Sequence, residues 1–215
     1  MKNLNLKAKW ITKNPETRLY QIPVPIIGLT GGIGTGKSTV AEILRAKNIP
    51  VIDADKLVKN IYQKPQTLTF IAKHFPHVME DGKIVFKKLR ETAFSDLTAK
   101  KLLEDFIYAY LPDEFKKAYA EFSNPRFIVY DVPLLFEKKL NGLIDLSVCV
   151  YAPREIQIER IVERDKSEKA LAAKMLEGQM DIEEKKTRAD LVVLNSDGME
   201  ELKIAVDQFL ADVAN

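Results

Sequence analysis

Residues Gly31-Gly32-Ile33-Gly34-Thr35-Gly36-Lys37-Ser38 fit the pattern G-x-x-x-x-G-K-[ST], set between an apolar run at 26–30 and a helix-forming stretch at 38–47. A strand that feeds a helix through this many glycines must turn tightly. The turn lets successive backbone N–H groups close around a polyphosphate, and the helix N-terminus adds partial positive charge. Lys37 supplies a mobile charge for the outer phosphates, and the Ser38 hydroxyl can ligate the Mg²⁺ that bridges them. Strand, full spacing and helix agree, so the segment reads as a P-loop for ATP rather than a plain glycine-rich turn.

That reading constrains the rest of the chain to an α/β architecture. Apolar, β-rich runs recur at 26–30, 49–53, 127–132, 144–151 and 189–194, separated by helical stretches. They predict five strands of a parallel sheet, and their apolarity on both faces fits a sheet covered by helices on both sides. Ligands of such sheets collect at the carboxyl ends of the strands, where the P-loop, Asp53, Asp55 and Asp131 are expected to converge. The interval 56–125 carries helical patterns and no strong strand series, so it predicts a helical insertion. A second helical run begins at Pro153 and continues past Gln179, and Asn195-Ser196-Asp197-Gly198 breaks the chain before a final helix at 199–213. Pro15, Pro23 and Pro25 argue against one long helix in residues 1–25, whose role the sequence does not disclose.

Composition narrows the partners. Lys and Arg total 33 against 31 Asp and Glu, and a net charge of +2 gives no support for a nucleic-acid surface. At 215 residues the chain suits one sizeable core with insertions. No stretch reaches the roughly 18 apolar residues of a membrane span, and the scattered lysines and Arg18 near the N-terminus leave no secretory signal. The single Cys149 sits in an apolar run and reads as a buried side chain, so a cytoplasmic setting is expected.

Several polar residues are placed for chemistry. Asp131 ends the run 127–130, where a carboxylate reaches a P-loop metal directly or through water; its plainer role is a turn or cap before Pro133. Asp53 and Asp55 end the second strand. Either can orient or deprotonate an acceptor hydroxyl while the other caps the following helix, or both simply terminate the strand. Arg160 and Arg164 lie four apart on one helix face, with Gln157 a turn earlier. Such a face can close over ATP as a lid, or stay a solvated helix paired with Glu159, Glu163 and Asp165. His74 and His77 lack companions at metal-ligand spacing and read as loop residues. The aromatics Phe70, Phe75, Phe86, Phe94, Phe106, Tyr108 and Tyr110 read mostly as insertion core, with a subset able to stack on a purine.

In order, residues 27–41, Val51-Ile52-Asp53-Ala54-Asp55, 131–137, Gln157-x-x-Arg160-x-x-x-Arg164-Asp165 and Ala189-Asp190-x-Val192-Val193-x-Asn195 resemble the dephospho-coenzyme A kinase family, over most of the chain from about Ile26. The resemblance implies a P-loop kinase fold: a single domain at 26–215 after an N-terminal extension at 1–25, with a helical acceptor insertion at about 56–125 and a lid at about 153–187. It implies transfer of the ATP γ-phosphoryl group to the ribose 3′-hydroxyl of dephospho-coenzyme A. Asp55 matches the family's catalytic acid, Lys37 its phosphate-binding lysine, and Arg160 and Arg164 its lid arginines. Gly31, Gly32, Ile33, Gly34, Thr35, Gly36, Lys37, Ser38 and Thr39 would hold the nucleotide, with Asn195 at its adenine end, and Ser38 and Asp131 would hold Mg²⁺. Two positions depart from the family's acceptor side: Phe86 stands where an arginine is usual, and Tyr108-Ala109 where a His-Pro pair is usual. Lys87, Lys88 or Arg90 can restore the charge. The departures leave room for a kinase of another small metabolite or nucleotide, or for an ATP-binding regulator with reduced catalysis.

Overall fold

A computed structural model of the chain describes residues 4–215. Strands run at Ile26–Gly31 (β1), Val51–Asp53 (β2), Ile128–Asp131 (β3), Leu146–Tyr151 (β4) and Leu191–Leu194 (β5). Helices run at Lys37–Ala46 (α1), Ala54–Tyr62 (α2), Pro65–His74 (α3), Phe86–Ser95 (α4), Leu97–Ala120 (α5), Arg154–Asp165 (α6), Lys169–Glu177 (α7), Ile182–Arg188 (α8) and Met199–Val213 (α9). The chain forms two compact units. One carries the sequence up to Asp53 and again from Phe122 to Asn215, and the other is Ala54–Glu121.

The first unit is built on the expected five-stranded parallel sheet, in the order β2-β3-β1-β4-β5. All six residues of β1 are buried, as a central parallel strand requires. Ile27 and Leu29 join Val40, Ala41 and Leu44 of α1 and Val206, Phe209 and Val213 of α9 in one apolar cluster. Burying each such side chain is worth roughly 1.5–3 kcal/mol, so this layer fixes where α1 begins and hence where the P-loop ends. Asp190 secures the start of β5 beside β4. Its carboxylate accepts from the Ser147 N–H at 2.8 Å and the Ser147 hydroxyl at 2.6 Å.

The N-terminal segment is part of this unit. Among its described residues the helical elements are two single-turn 3₁₀ helices, at Ala8–Trp10 and Leu19–Gln21. Leu6 forms an antiparallel bridge with Ala214, and the Lys7 ammonium donates to the carbonyls of Ala211 at 2.6 Å and Asp212 at 3.2 Å, taking free acceptors at the end of α9. Arg18 makes the deeper attachment. Its guanidinium meets Asp145 at 2.7 Å with both side chains almost fully buried, and also donates to the carbonyls of Lys13, Ile22 and Pro23. Asp145 in turn accepts from the N–H groups of Thr12, Lys13 and Ile26, so one carboxylate ties the segment to the first residue of β1.

The second unit holds α2 to α5. It also contains a strand pair not expected from the sequence, Met79–Glu80 against Lys83–Ile84. The intervening Asp81 and Gly82 have φ of 47° and 74°, the left-handed pair that a two-residue hairpin turn needs. Asp96 caps α5 by accepting from Thr98 N at 2.8 Å and Ala99 N at 3.1 Å. The aromatics are less enclosed than a core would make them. Phe75 is buried, but Phe94 is 83% exposed and Phe86 and Tyr108 are also exposed. Phe70 and Phe106 stack with centroids 3.9 Å apart, and Tyr62 meets Phe86 edge-on at 5.2 Å. Among the described residues, no helix is long and apolar enough to cross a membrane.

Replacing Arg18 by methionine strips Asp145 of its charge partner while leaving it buried. We expect a loss of about 3–5 kcal/mol in urea unfolding followed by circular dichroism; a loss below about 1 kcal/mol would show that the backbone N–H groups alone sustain the carboxylate.

Candidate active site

The turn between β1 and α1 depends on two residues without side chains. Gly34 has φ of 78°, and a Cβ there would stand 2.7 Å from the Gln157 carbonyl oxygen. Gly36 has φ of 85°, and a Cβ there would collide with the carboxamide nitrogen of Asn195. Both positions therefore require glycine on conformational and on steric grounds. Thr35 between them is fully buried. Its hydroxyl donates to the Gly32 carbonyl at 2.9 Å, and its own carbonyl accepts from Asn195 Nδ2 at 2.8 Å. Gly36 is the N-cap of α1 and has no side chain to take the first-turn N–H groups, which leaves them for an anion.

Charge converges at the carboxyl ends of β2 and β3. The Lys37 ammonium is paired with the Asp131 carboxylate. Asp131 closes β3, and Asp53 closes β2 directly beside it in the parallel register. Burial pushes the Asp131 carboxyl above its ordinary range; Lys37 pulls it down but does not win, and Asp53 adds repulsion. The Ser38 side chain lies at the exposed start of α1. Among the described residues, no group of three or more His, Cys, Asp or Glu is arranged to hold a metal by itself.

The front half of α6 is fixed to the P-loop. Gln157 is buried and donates to the Ala152 carbonyl at 2.9 Å. Arg160 donates to the Gly34 carbonyl at 3.2 Å and to Asn195 Oδ1 at 3.4 Å. Arg160, Asn195, Gly36, Thr39, Gly198 and Met199 line a cavity of about 190 Å³. Arg164 is not brought to this group. It is exposed and bound to its neighbour Asp165, at 2.7 and 2.8 Å. Asp55 lies in the first turn of α2, in the second unit, with its side chain exposed. In that unit Lys88 is paired with Glu80 at 2.5 Å.

The structure adds residues that pattern reading did not single out. Lys185, fully buried on α8, donates to the Pro133 carbonyl at 2.7 Å, to Glu137 at 2.8 Å and to the Gly31 carbonyl at 3.5 Å. Gln179 accepts from the Ile33 N–H at 3.3 Å. The detectable signal was a glutamine beside a glycine at the break between two helices; nothing in the local pattern marks Lys185 as buried.

Gly36→Ala should abolish binding of a fluorescent ADP analogue, because the new methyl group displaces Asn195 and strains the turn together; binding within threefold of wild type would contradict the collision. The Asp131 carboxyl should titrate, by carbon-13 resonance, above the ordinary aspartate value of about 3.9. Its raised value means that the folded state holds this proton more tightly than the unfolded chain does. The stabilisation from this site is therefore present at low pH and lost as pH rises through the folded value. Lys37→Met should move the midpoint further up, and a downward movement would reverse the assigned roles.

The family model described as dephospho-CoA kinase matches residues 25–201. A dephospho-CoA kinase of Fusobacterium nucleatum is 37% identical over 188 residues, covering 86% of this chain and 97% of that protein. The Helicobacter pylori enzyme of the same name is 39% identical over 188 residues, covering 86% and 95%. Among solved structures, the Thermus thermophilus protein TT1252 superposes with a TM-score of 0.81 at 30% identity, covering 88% of this chain and 97% of that one. The dephospho-CoA kinase of Campylobacter jejuni gives a TM-score of 0.58 at 25% identity, covering 87% and 96%. The match spans the P-loop, both strand-end acids, α6 and Asn195: the chain belongs to the dephospho-CoA kinase family.

Proposed function

We propose that Lys37, Arg160, Arg164 and Asp55 carry the ATP-dependent phosphorylation of dephospho-CoA by this chain, with the ribose 3′-hydroxyl as acceptor and coenzyme A and ADP as products. The observation that carries the reading is the family match over residues 25–201, the stretch in which each of these residues lies. Lys37 takes the outer phosphates, and the open first-turn N–H groups of α1 take the remaining phosphate oxygens. Arg160 is already bound to the P-loop carbonyl of Gly34, so its guanidinium needs little reorganisation to stabilise charge spread over the transferring group. Arg164 contributes once released from Asp165. The cavity beside Asn195 and Arg160 suits the adenine of ATP. Asp55 orients the acceptor hydroxyl and accepts its proton.

Mg²⁺ fits the donor set on chemical grounds. This ion is held by one or two carboxylates together with substrate phosphates, and the exposed Ser38 hydroxyl with Asp131, backed by Asp53, supplies that kind of half-site. When bound, the ion neutralises charge on the β- and γ-phosphates. Lys37 balances the Asp131 carboxylate until phosphate competes for the ammonium. A cytoplasmic setting suits the ATP requirement and the single Cys149, whose buried thiol is pushed up to about 12 and stays unreactive.

The direct test is incubation with ATP and dephospho-CoA with the product identified by mass. Coenzyme A should accumulate with ADP in equal amounts, and no product above an enzyme-free control would refute the reading. Arg160→Ala should lower kcat on the order of 10³-fold. Asp55→Asn should lower kcat about 10²–10⁴-fold while ATP affinity holds; equal losses of turnover and ATP affinity would remove Asp55 from the acceptor role.

A further inference from the structure

The segment from Gln179 to Lys185, inside the run read as a lid at about 153–187, grips the P-loop from behind together with α6 and α7. Ile33 inserts its side chain into the small apolar cluster of Ile161, Ala172 and Leu176, so the loop is packed into α6 and α7. The backbone N–H of that same Ile33 is held by the Gln179 carboxamide oxygen at 3.3 Å. Below it, the Lys185 ammonium holds the carbonyl of Gly31, the first residue of the loop, and that of Pro133, two residues past Asp131. The Pro133 carbonyl also accepts from the Thr30 hydroxyl at 3.0 Å. Glu137 neutralises Lys185 and accepts from the Met180 N–H at 3.2 Å, which closes the bracket onto its own segment.

A fully buried lysine is costly unless its charge is matched, and here the match ties β1, the turn after β3 and α8 together. We propose that Gln179 and Lys185 are positioning residues for phosphoryl transfer: they set the spacing between the phosphate-binding loop and the strand end that carries Asp131. Neither needs to touch the transferring group. Their effect passes through Ile33 and Gly31 on one side and Pro133 on the other. The inference rests on the reading of the P-loop as the ATP site.

The test compares Gln179→Ala, Gln179→Glu, Lys185→Arg and Lys185→Met by affinity for a fluorescent ADP analogue, by kcat and KM for each substrate, and by thermal midpoint. Gln179→Ala should lower kcat about 100-fold through misplacement of the loop, with KM for dephospho-CoA and the thermal midpoint nearly unchanged. Gln179→Glu keeps the acceptor but adds a negative charge beside the phosphate loop, and should weaken ADP binding about tenfold. Lys185→Arg should retain most activity, and Lys185→Met should lose it. Wild-type kcat and ADP affinity in both Gln179 variants would overturn the role of Gln179. A folded Lys185→Met with wild-type kinetics, or a Lys185→Arg as impaired as Lys185→Met, would overturn that of Lys185. Should Lys185→Met fail to fold, the arginine variant decides. ADP affinity needs no acceptor, so it scores the bracket even if the wild-type chain makes no coenzyme A.

Discussion

The carboxamide of Asn195 rests against the bare backbone of Gly36, and much of the site follows from that approach. It donates to the Thr35 carbonyl and accepts from Arg160, so a residue just past β5 clamps a turn that follows β1. β4 lies between those two strands in the sheet, which makes the clamp a product of strand order rather than of local sequence. With Thr35 held and Gly36 in the left-handed region, α1 starts at Lys37, and the ammonium of that residue reaches Asp131. Any side chain at Gly36 would undo the clamp and the helix start together.

Buried charge is the second organising constraint, and each instance joins elements far apart in sequence. Arg18 and Asp145 fasten the N-terminal segment to the first residue of β1, Lys185 and Glu137 brace the back of the P-loop, and Lys37 meets Asp131 at its front. Such pairs contribute little net stability compared with well-packed apolar groups, but breaking one of them is expensive. Their effect here is positional: β1 is held at its beginning by one pair and at its end by the other two. A strand so fixed gives the phosphate loop a rigid base.

What could be read from the sequence divides along the same line. The five parallel strands were legible because apolarity on both faces is a local property, and the P-loop because its glycines, lysine and serine are contiguous. The final helix was read at its observed limits, Met199–Val213, since Gly198 precedes it and its apolar stripe is regular. The role of residues 1–25 was not legible, because Arg18 finds Asp145 across 127 positions and no periodicity records such a contact. The Asp81-Gly82 hairpin was overlooked because its strands are two residues long, too short for alternation to register. Hydrophobicity alone reads most of the insertion aromatics as core, whereas Phe86, Phe94 and Tyr108 are open to solvent. In the candidate site, Arg160 meets Asn195, a contact across 35 positions that no local pattern records. Arg164 does not, because the carboxylate next to it in sequence satisfies its guanidinium.

The contrast between Arg160 and Arg164 locates where the lid helix is free. Gln157, Arg160 and Ile161 are all engaged with the P-loop or with the cluster that holds Ile33, so α6 is anchored through its first two turns. Arg164 lies two residues past Val162, which still packs on that cluster, and its guanidinium donates to Asp165. Directly after it, Lys166 takes the left-handed conformation with φ of 52°, and the Ser167 hydroxyl is buried with no partner among the described residues. The chain is thus weakly secured just where a helix ends. One arginine is tied to the loop and the other to its sequence neighbour, although the four-residue spacing alone makes them look equivalent.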